Sequence, residues 1–142
     1  MSAPGPGLDA AGIRAFLAEH FPAALEYPID IHEPVGDSLV VALAATTQML
    51  RPGDTISGPT LMTLADTAMY YLLLAKLGRV ALAVTTSMHI DFLRRAPLAT
   101  VYAKAELLKL GKTLAVGRVT MTVAGDERPI AHASLTYSLP PR

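Results

Sequence analysis

The sequence predicts an α+β domain in which a curved antiparallel sheet wraps a long central helix, and three observations carry that expectation. Apolar residues at helical spacing fill Leu61 to Ala75, period-two alternation recurs on both sides of that run, and the helix is apolar around most of its circumference. A helix without a wide polar face has to be covered on several sides, which a sheet bent around it achieves. With 142 residues the chain has room for one such core, and a second domain does not fit comfortably. Apolar residues make up 51% and charged residues 17%, too apolar a balance for disorder.

The elements follow in order. Residues 1–7, MSAPGPG, read as a flexible tail that buries almost nothing, leaving 8–142 as the single domain. Asp9 suits an N-cap, Ile13, Phe16 and Leu17 recur at helical spacing, and Pro22 stops that first short helix. From Tyr27 to Ala45 the period becomes two. Ile29 and Ile31 alternate with Asp30 and His32, a turn falls at Pro34, Gly36 and Asp37, and Leu39, Val41, Leu43 and Ala45 form a second strand. The segment Arg51 to Thr60 is dense in turn formers. Pro59 suits a first helical turn, because its missing N–H would have had no intrahelical partner. The helix runs to about Leu77 with Gly78 as its stop, and Leu61, Leu64, Ala65, Ala68, Leu72 and Ala75 share one face. Four strands complete the chain. From Val80 to Leu93 the even positions are apolar except Thr86 while the odd ones carry Thr85, Ser87, His89 and Asp91, which predicts one long half-buried strand. Val101 to Leu107, Thr113 to Val123 and Ile130 to Tyr137 follow, separated by turns at Gly111-Lys112 and Gly125-Asp126.

Composition removes several functions. Lys plus Arg total 12 and Asp plus Glu total 12, so no global basic field exists to hold a nucleic acid. The absence of cysteine excludes disulfides, thiolate metal sites and a cysteine nucleophile. His89 and His132 have no second ligand at metal spacing, so neither a metal nor another cofactor is expected. The tract Leu61 to Ala75 is too short to span a bilayer, and MSAPGPG lacks the features of a signal peptide. A soluble, cytoplasmic protein with no membrane partner is the expectation.

One residue is out of place. Asp66 sits in the middle of the central helix, where the macrodipole offers it nothing and its helix propensity is poor. It shares an arc of about 100° with Thr63, Thr67 and Tyr70, and Leu73, Leu74 and Leu77 continue that arc, so it is no freely solvated stripe. A carboxylate in a partly apolar groove needs a specific partner or a raised pKa, and both occur preferentially at functional sites. The second unusual feature is Ile56-Ser-Gly-Pro-Thr60. At a helix start the backbone N–H groups are free to polarise a carbonyl, and Gly58 allows close approach. An amide and a carboxylate together suffice for acyl transfer without Ser/His or Cys/His. Eight residues at the helical rise nevertheless separate Gly58 from Asp66 by about 12 Å, too far for one reacting group. A two-fold dimer with antiparallel central helices sets Gly58 of one subunit near Asp66 of the other.

The turn and helix Gly58-Pro-Thr-Leu-Met-Thr-Leu-Ala-Asp66-Thr-Ala68, the strand Thr85-Thr-Ser-Met-His-Ile-Asp-Phe-Leu93 and the hairpin Leu108-Lys-Leu-Gly-Lys-Thr-Leu-Ala115 resemble the hotdog-fold thioesterases of the PaaI-like group. The resemblance spans about Pro52 to Tyr137. It implies a homodimer or homotetramer that hydrolyses acyl-CoA at the subunit interface. It further implies Asp66 as base or nucleophile, Gly58 as the amide that polarises the thioester, and Thr85, or Ser87 two residues along, as the hydroxyl that positions water. Arg51, Ser57, Pro59, Met62 and Tyr70 are expected around the substrate. Where the family often carries Asn-Pro and His-Gly-Gly, this chain has Arg51-Pro52 and Ser57-Gly58-Pro59, so the supporting hydrogen bonds differ.

Charge is lopsided. Residues 1–37 hold Asp9, Glu19, Glu26, Asp30, Glu33 and Asp37 against Arg14, whereas residues 79–118 are rich in Lys and Arg. Arg94, Arg95, Lys109 and Lys112 are expected to meet the nucleotide phosphates. Two other functions fit the same pattern. One is a hotdog hydratase or dehydratase acting on enoyl-CoA, if His89 meets Asp66 across a dimer; the other is a non-catalytic acyl-binding module.

Overall fold

The structure is a computed structural model that describes residues 7–141. Six of the seven residues expected to form a tail therefore lie outside the described residues. The seventh, Gly7, is held against the Ala75 carbonyl of the central helix, and the Leu8 N–H donates to Leu74 O at 3.3 Å.

The first helix, α1, is Ala10–His20, capped by the Asp9 carboxylate, which accepts from the Gly12 N–H at 2.7 Å. Its Ile13, Phe16 and Leu17 are fully buried, as their spacing requires. A 3-10 turn over Pro22–Glu26 follows. Then come β1 (Ile29–Ile31) and β2 (Ser38–Ala44), a two-residue hairpin of β3 (Leu50–Arg51) and β4 (Thr55–Ile56), and the central helix α2 (Gly58–Leu77). The strands β5 (Val84–Phe92), β6 (Thr100–Leu110), β7 (Leu114–Val123) and β8 (Asp126–Ser138) complete the chain. The main sheet has the antiparallel order β1-β2-β6-β7-β8-β5. The α+β expectation of a sheet wrapped on one long helix is met.

Packing follows from that wrap. Leu64, Ala65, Ala68, Met69, Leu72, Leu73 and Leu74 of α2 are fully buried against inward residues of the sheet such as Leu39, Val41, Ala103, Val119 and Leu135. Helix and sheet are tightly packed at Gly117 of β7, where an added Cβ would lie 2.6 Å from Met69 Sδ and 2.9 Å from the Glu106 carbonyl. No described helix is long and apolar enough to cross a membrane.

Two expectations for β5 are corrected. It begins at Val84, because residues 79–83 turn around the end of α2 and bury Val80 and Ala83 there. It is also less buried than expected: only Met88 and Ile90 are partly covered, while Val84 is 57% and Phe92 51% exposed, because β5 is the edge strand of the sheet.

Candidate active site

Asp66 projects from α2 toward two strands that lie side by side. Tyr137 of β8 and Thr85 of β5 are direct partners in the ladder. Side chains of such a pair share a face, so both hydroxyls reach the helix. Tyr137 Oη donates to Asp66 Oδ1 at 2.7 Å, with a second contact to the Asp66 carbonyl at 3.0 Å, and the Thr85 hydroxyl donates to the same Oδ1. Oδ2 takes no hydrogen bond from the described residues.

A β-bulge makes this pairing possible. The register passes from Thr85↔Tyr137 to Ser87↔Thr136, leaving Thr86 as the extra residue. Thr85 consequently faces inward with Tyr137. Ser87 faces outward with Thr136, followed on that side by His89 opposite Ser134 and Asp91 opposite His132. The expectation that Ser87 shares a face with Thr85 therefore fails, and the cause is the phase change at Thr86. His89 is paired with Asp91 at 3.2 Å on the outer side.

The carboxylate opens into a cavity of about 560 Å³ whose wall includes Thr63, Thr67, Tyr70 and Tyr71 of α2 and, from the segment after α1, Phe21, Ala24 and Tyr27. Thr63, Asp66, Thr67 and Tyr70 of the arc read from the sequence thus line one cavity, whereas Leu73, Leu74 and Leu77, expected to continue it, are buried in the core. Tyr70 stacks on Tyr137 with ring centroids 6.3 Å apart and donates to the Ala81 carbonyl at 3.2 Å. Among the described residues the lining contains no Lys, Arg or His. Burial pushes the Tyr71 phenol up to about 12, assisted by neighbouring Tyr70. Burial likewise raises Tyr137 well above the ordinary phenol value; Thr85 pulls it partly back, and the bond to Asp66 pushes it further up. Tyr137 is thereby kept protonated and remains a donor.

Gly58 stands elsewhere. It is the first residue of α2, and Ser57 caps the helix: its hydroxyl accepts from the Thr60 N–H at 3.3 Å and meets Thr60 Oγ1 at 2.8 Å. The Leu61 N–H donates to the Ser57 carbonyl at 3.2 Å and Pro59 has no N–H. The Gly58 N–H is left without an acceptor among the described residues. An added Cβ on Gly58 would lie 3.3 Å from the Phe92 ring, so the glycine fits beneath the far end of β5. Gly58 borders a groove of about 420 Å³ with Arg51, Leu61, Phe92, Arg94 and Arg95, and no residue is shared with the Asp66 cavity.

The remaining expected residues divide. Arg51, Arg94 and Arg95 gather beside Gly58, whereas Ser57 is used as a cap and Pro59 and Met62 border neither cavity. Lys109 and Lys112 belong to the hairpin between β6 and β7, at the Val84 end of the sheet. Arg94, whose N–H donates to Ile130 O at 3.2 Å, is at the opposite end. The four-residue basic cluster thus does not form within one protomer, because the strands carry its two halves apart. Tyr137 was missed in the sequence, where it reads as the last inward residue of a strand.

The chain matches the family model of the thioesterase superfamily over residues 53–130. A crystal structure from a Silicibacter species, provisionally assigned as a thioesterase, is 40% identical, with a TM-score of 0.86 over 99% of this chain and 97% of that one. The E. coli PaaI protein from the phenylacetic acid degradation operon is 27% identical, with a TM-score of 0.75 over 91% and 96% of the two chains. Zebrafish thioesterase superfamily member 2, at 22% identity and a TM-score of 0.77 over 92% and 95%, is alike in fold. A search of curated proteins returns no match. The chain belongs to the thioesterase superfamily, its fold is the hotdog fold, and the chemistry this membership supports is thioester hydrolysis.

Proposed function

We propose that two copies of this chain form a PaaI-like acyl-CoA thioesterase whose two sites each take Asp66 and Thr85 from one protomer and the Gly58 amide from its partner. One observation carries this reading: the free carboxylate oxygen and the free amide open into separate cavities tied to opposite ends of one uncovered strand. A two-fold axis through the middle of β5 exchanges those ends. It lays β5 antiparallel on its copy, and the helix start held on the partner's Phe92 arrives beside Asp66. Edge strands invite pairing, and beyond the bulge at Thr86 the inward face of β5 carries Met88, Ile90 and Phe92 with neither Pro nor Lys to block it. The same exchange carries the Lys109 and Lys112 hairpin toward the partner's Arg94 and Arg95, reuniting basic residues suited to nucleotide phosphates.

In the reaction, the partner's Gly58 N–H donates to the thioester oxygen and polarises the carbonyl. Asp66 Oδ2 accepts a proton from water held against Thr85, whose oxygen retains lone pairs after its proton is donated. The water oxygen bonds to the carbonyl carbon, the amide holds the resulting oxyanion, and the carbon–sulfur bond breaks to release the acid and CoA thiolate, which takes the proton. The hydratase reading needs an imidazole beside Asp66, and His89 is held instead by Asp91 on the outer face.

Asp66→Asn tests the proposal by thiol release. Turnover should fall at least about 100-fold with fold and oligomeric state preserved, and unchanged turnover overturns it. Saturable binding without turnover across short, long and aromatic acyl-CoAs would establish the non-catalytic module instead; loss of enoyl absorbance without thiol release would establish the hydratase.

A further inference from the structure

Among the described residues the carboxylate of Asp66 has no cationic partner. No Lys, Arg or His lines its cavity, and no ion pair to it exists among the described residues. The titratable groups that face it are phenols: Tyr70 and Tyr71 from α2, Tyr137 from β8 and Tyr27 from the segment before β1. Of these, Tyr137 alone donates to the carboxylate, and it does so to the oxygen that Thr85 also uses. Two donors on Oδ1 fix the plane of the carboxylate and leave Oδ2 as its unoccupied oxygen.

Tyr137 is itself held from three sides. It is 2% exposed, its ring stacks on Tyr70, and the ladder pairs it with Thr85 on one side and Ala115 on the other. A buried phenol must place its proton, and among the described residues Tyr137 donates to Asp66, at Oδ1 and at the carbonyl. The inward positions that precede it on β8, Ala131, Ala133 and Leu135, are all apolar. The hydroxyl at 137 therefore exceeds what packing of this strand requires.

We infer that Tyr137 is a positioning residue for the hydrolysis, donating to Oδ1 of Asp66 so that Oδ2 is oriented toward water as the proton acceptor. The inference rests on the thioesterase reading above. Thr85 donates to the same oxygen but in the proposed reaction also holds the water, so it does not fix the carboxylate by itself. Removal of the phenol frees the carboxylate to rotate and withdraws a hydrogen bond from its charged form, and a carboxylate deprived of a donor gives up its charge at higher pH.

Tyr137→Phe keeps the ring, the stack and the burial while deleting the donor. With a substrate hydrolysed by the wild type, kcat should fall about tenfold with KM nearly unchanged, and the acid limb of the kcat/KM profile should move up by about one pH unit. A second replacement, 3-fluorotyrosine at 137, strengthens the donor without removing it and should move that limb the opposite way. A limb unmoved in both replacements overturns the inference, whether or not kcat or melting temperature changes, because a purely structural tyrosine would not shift it. Should Tyr137→Phe fail to fold, the fluorinated protein decides alone by the same readout. If Asp66→Asn abolishes turnover while position 137 leaves the limb in place, the positioning role fails and the hydrolase reading stands. If Asp66→Asn is fully active, the underlying reading has failed and the inference with it.

Discussion

Two strands of the main sheet, β7 and β5, have similar alternating sequences and opposite fates. In β7 the inward residues Ala115, Val119, Met121 and Val123 are buried beneath α2, and Gly117 brings the helix closer still. In β5 the inward residues Met88 and Ile90 are only half-buried and Phe92 is exposed. Alternation identifies the face that seeks cover, but it does not say where the cover comes from. For β7 the cover is this chain's own helix; for β5 it has to arrive from outside, and the proposed second protomer supplies it.

The difference can be broken most severely at β5. Met88→Lys places like charges close together across the proposed axis. Sedimentation should show monomers in place of dimers, with thiol release reduced about 100-fold because neither half-site works alone. Asp30→Lys, at the opposite and much shorter edge β1, should leave both properties unaltered. A Met88→Lys protein that is dimeric and active removes β5 from the interface. At β7 the expected effect is on stability. Gly117→Ala forces a Cβ against Met69 and the Glu106 carbonyl, and denaturant unfolding should register a loss of about 1–3 kcal/mol. The same change at Gly58 meets only the Phe92 ring, which has room to yield, so it should be milder.

The smallest effect lies at the turn from β7 into β8. Arg128 hydrogen-bonds the Asp126 carboxyl and holds it at about 2, below its usual 3.8. A depressed carboxyl stabilises the fold above its unfolded value and loses that contribution as pH falls through the folded one. Asp126→Asn should therefore lower the melting temperature slightly near neutrality, and the difference from the wild type should close as pH falls from 3.8 to about 2. Acid unfolding curves of the two proteins make the comparison.

Much of the architecture was legible because it depends on local chemistry. Asp9, Pro22, Pro59 and Gly78 mark helix ends through properties of their own backbones, and Asp66 is conspicuous against apolar neighbours. The hairpin of β3 and β4 was missed because two residues per strand leave no period to read. The bulge carried one signal, three consecutive hydroxyl residues at Thr85, Thr86 and Ser87, where alternation fails. Tyr137 offered none, since its partner is 71 residues away and a tyrosine on an inward position resembles ordinary core. That Arg94 and Arg95 lie at one end of the sheet and Lys109 and Lys112 at the other was not legible for a related reason: proximity in sequence across β5 and β6 says nothing about which end each residue reaches.

The extra residue at Thr86 works as a half-step in a regular stair. Without it, odd-numbered positions from Thr85 to Asp91 would all lie on one side, and the hydroxyl that meets the carboxylate would be turned away with the rest. Alignment of the acid is thus written into strand registry, a property of the rigid ladder, and owes nothing to the settling of a loose loop.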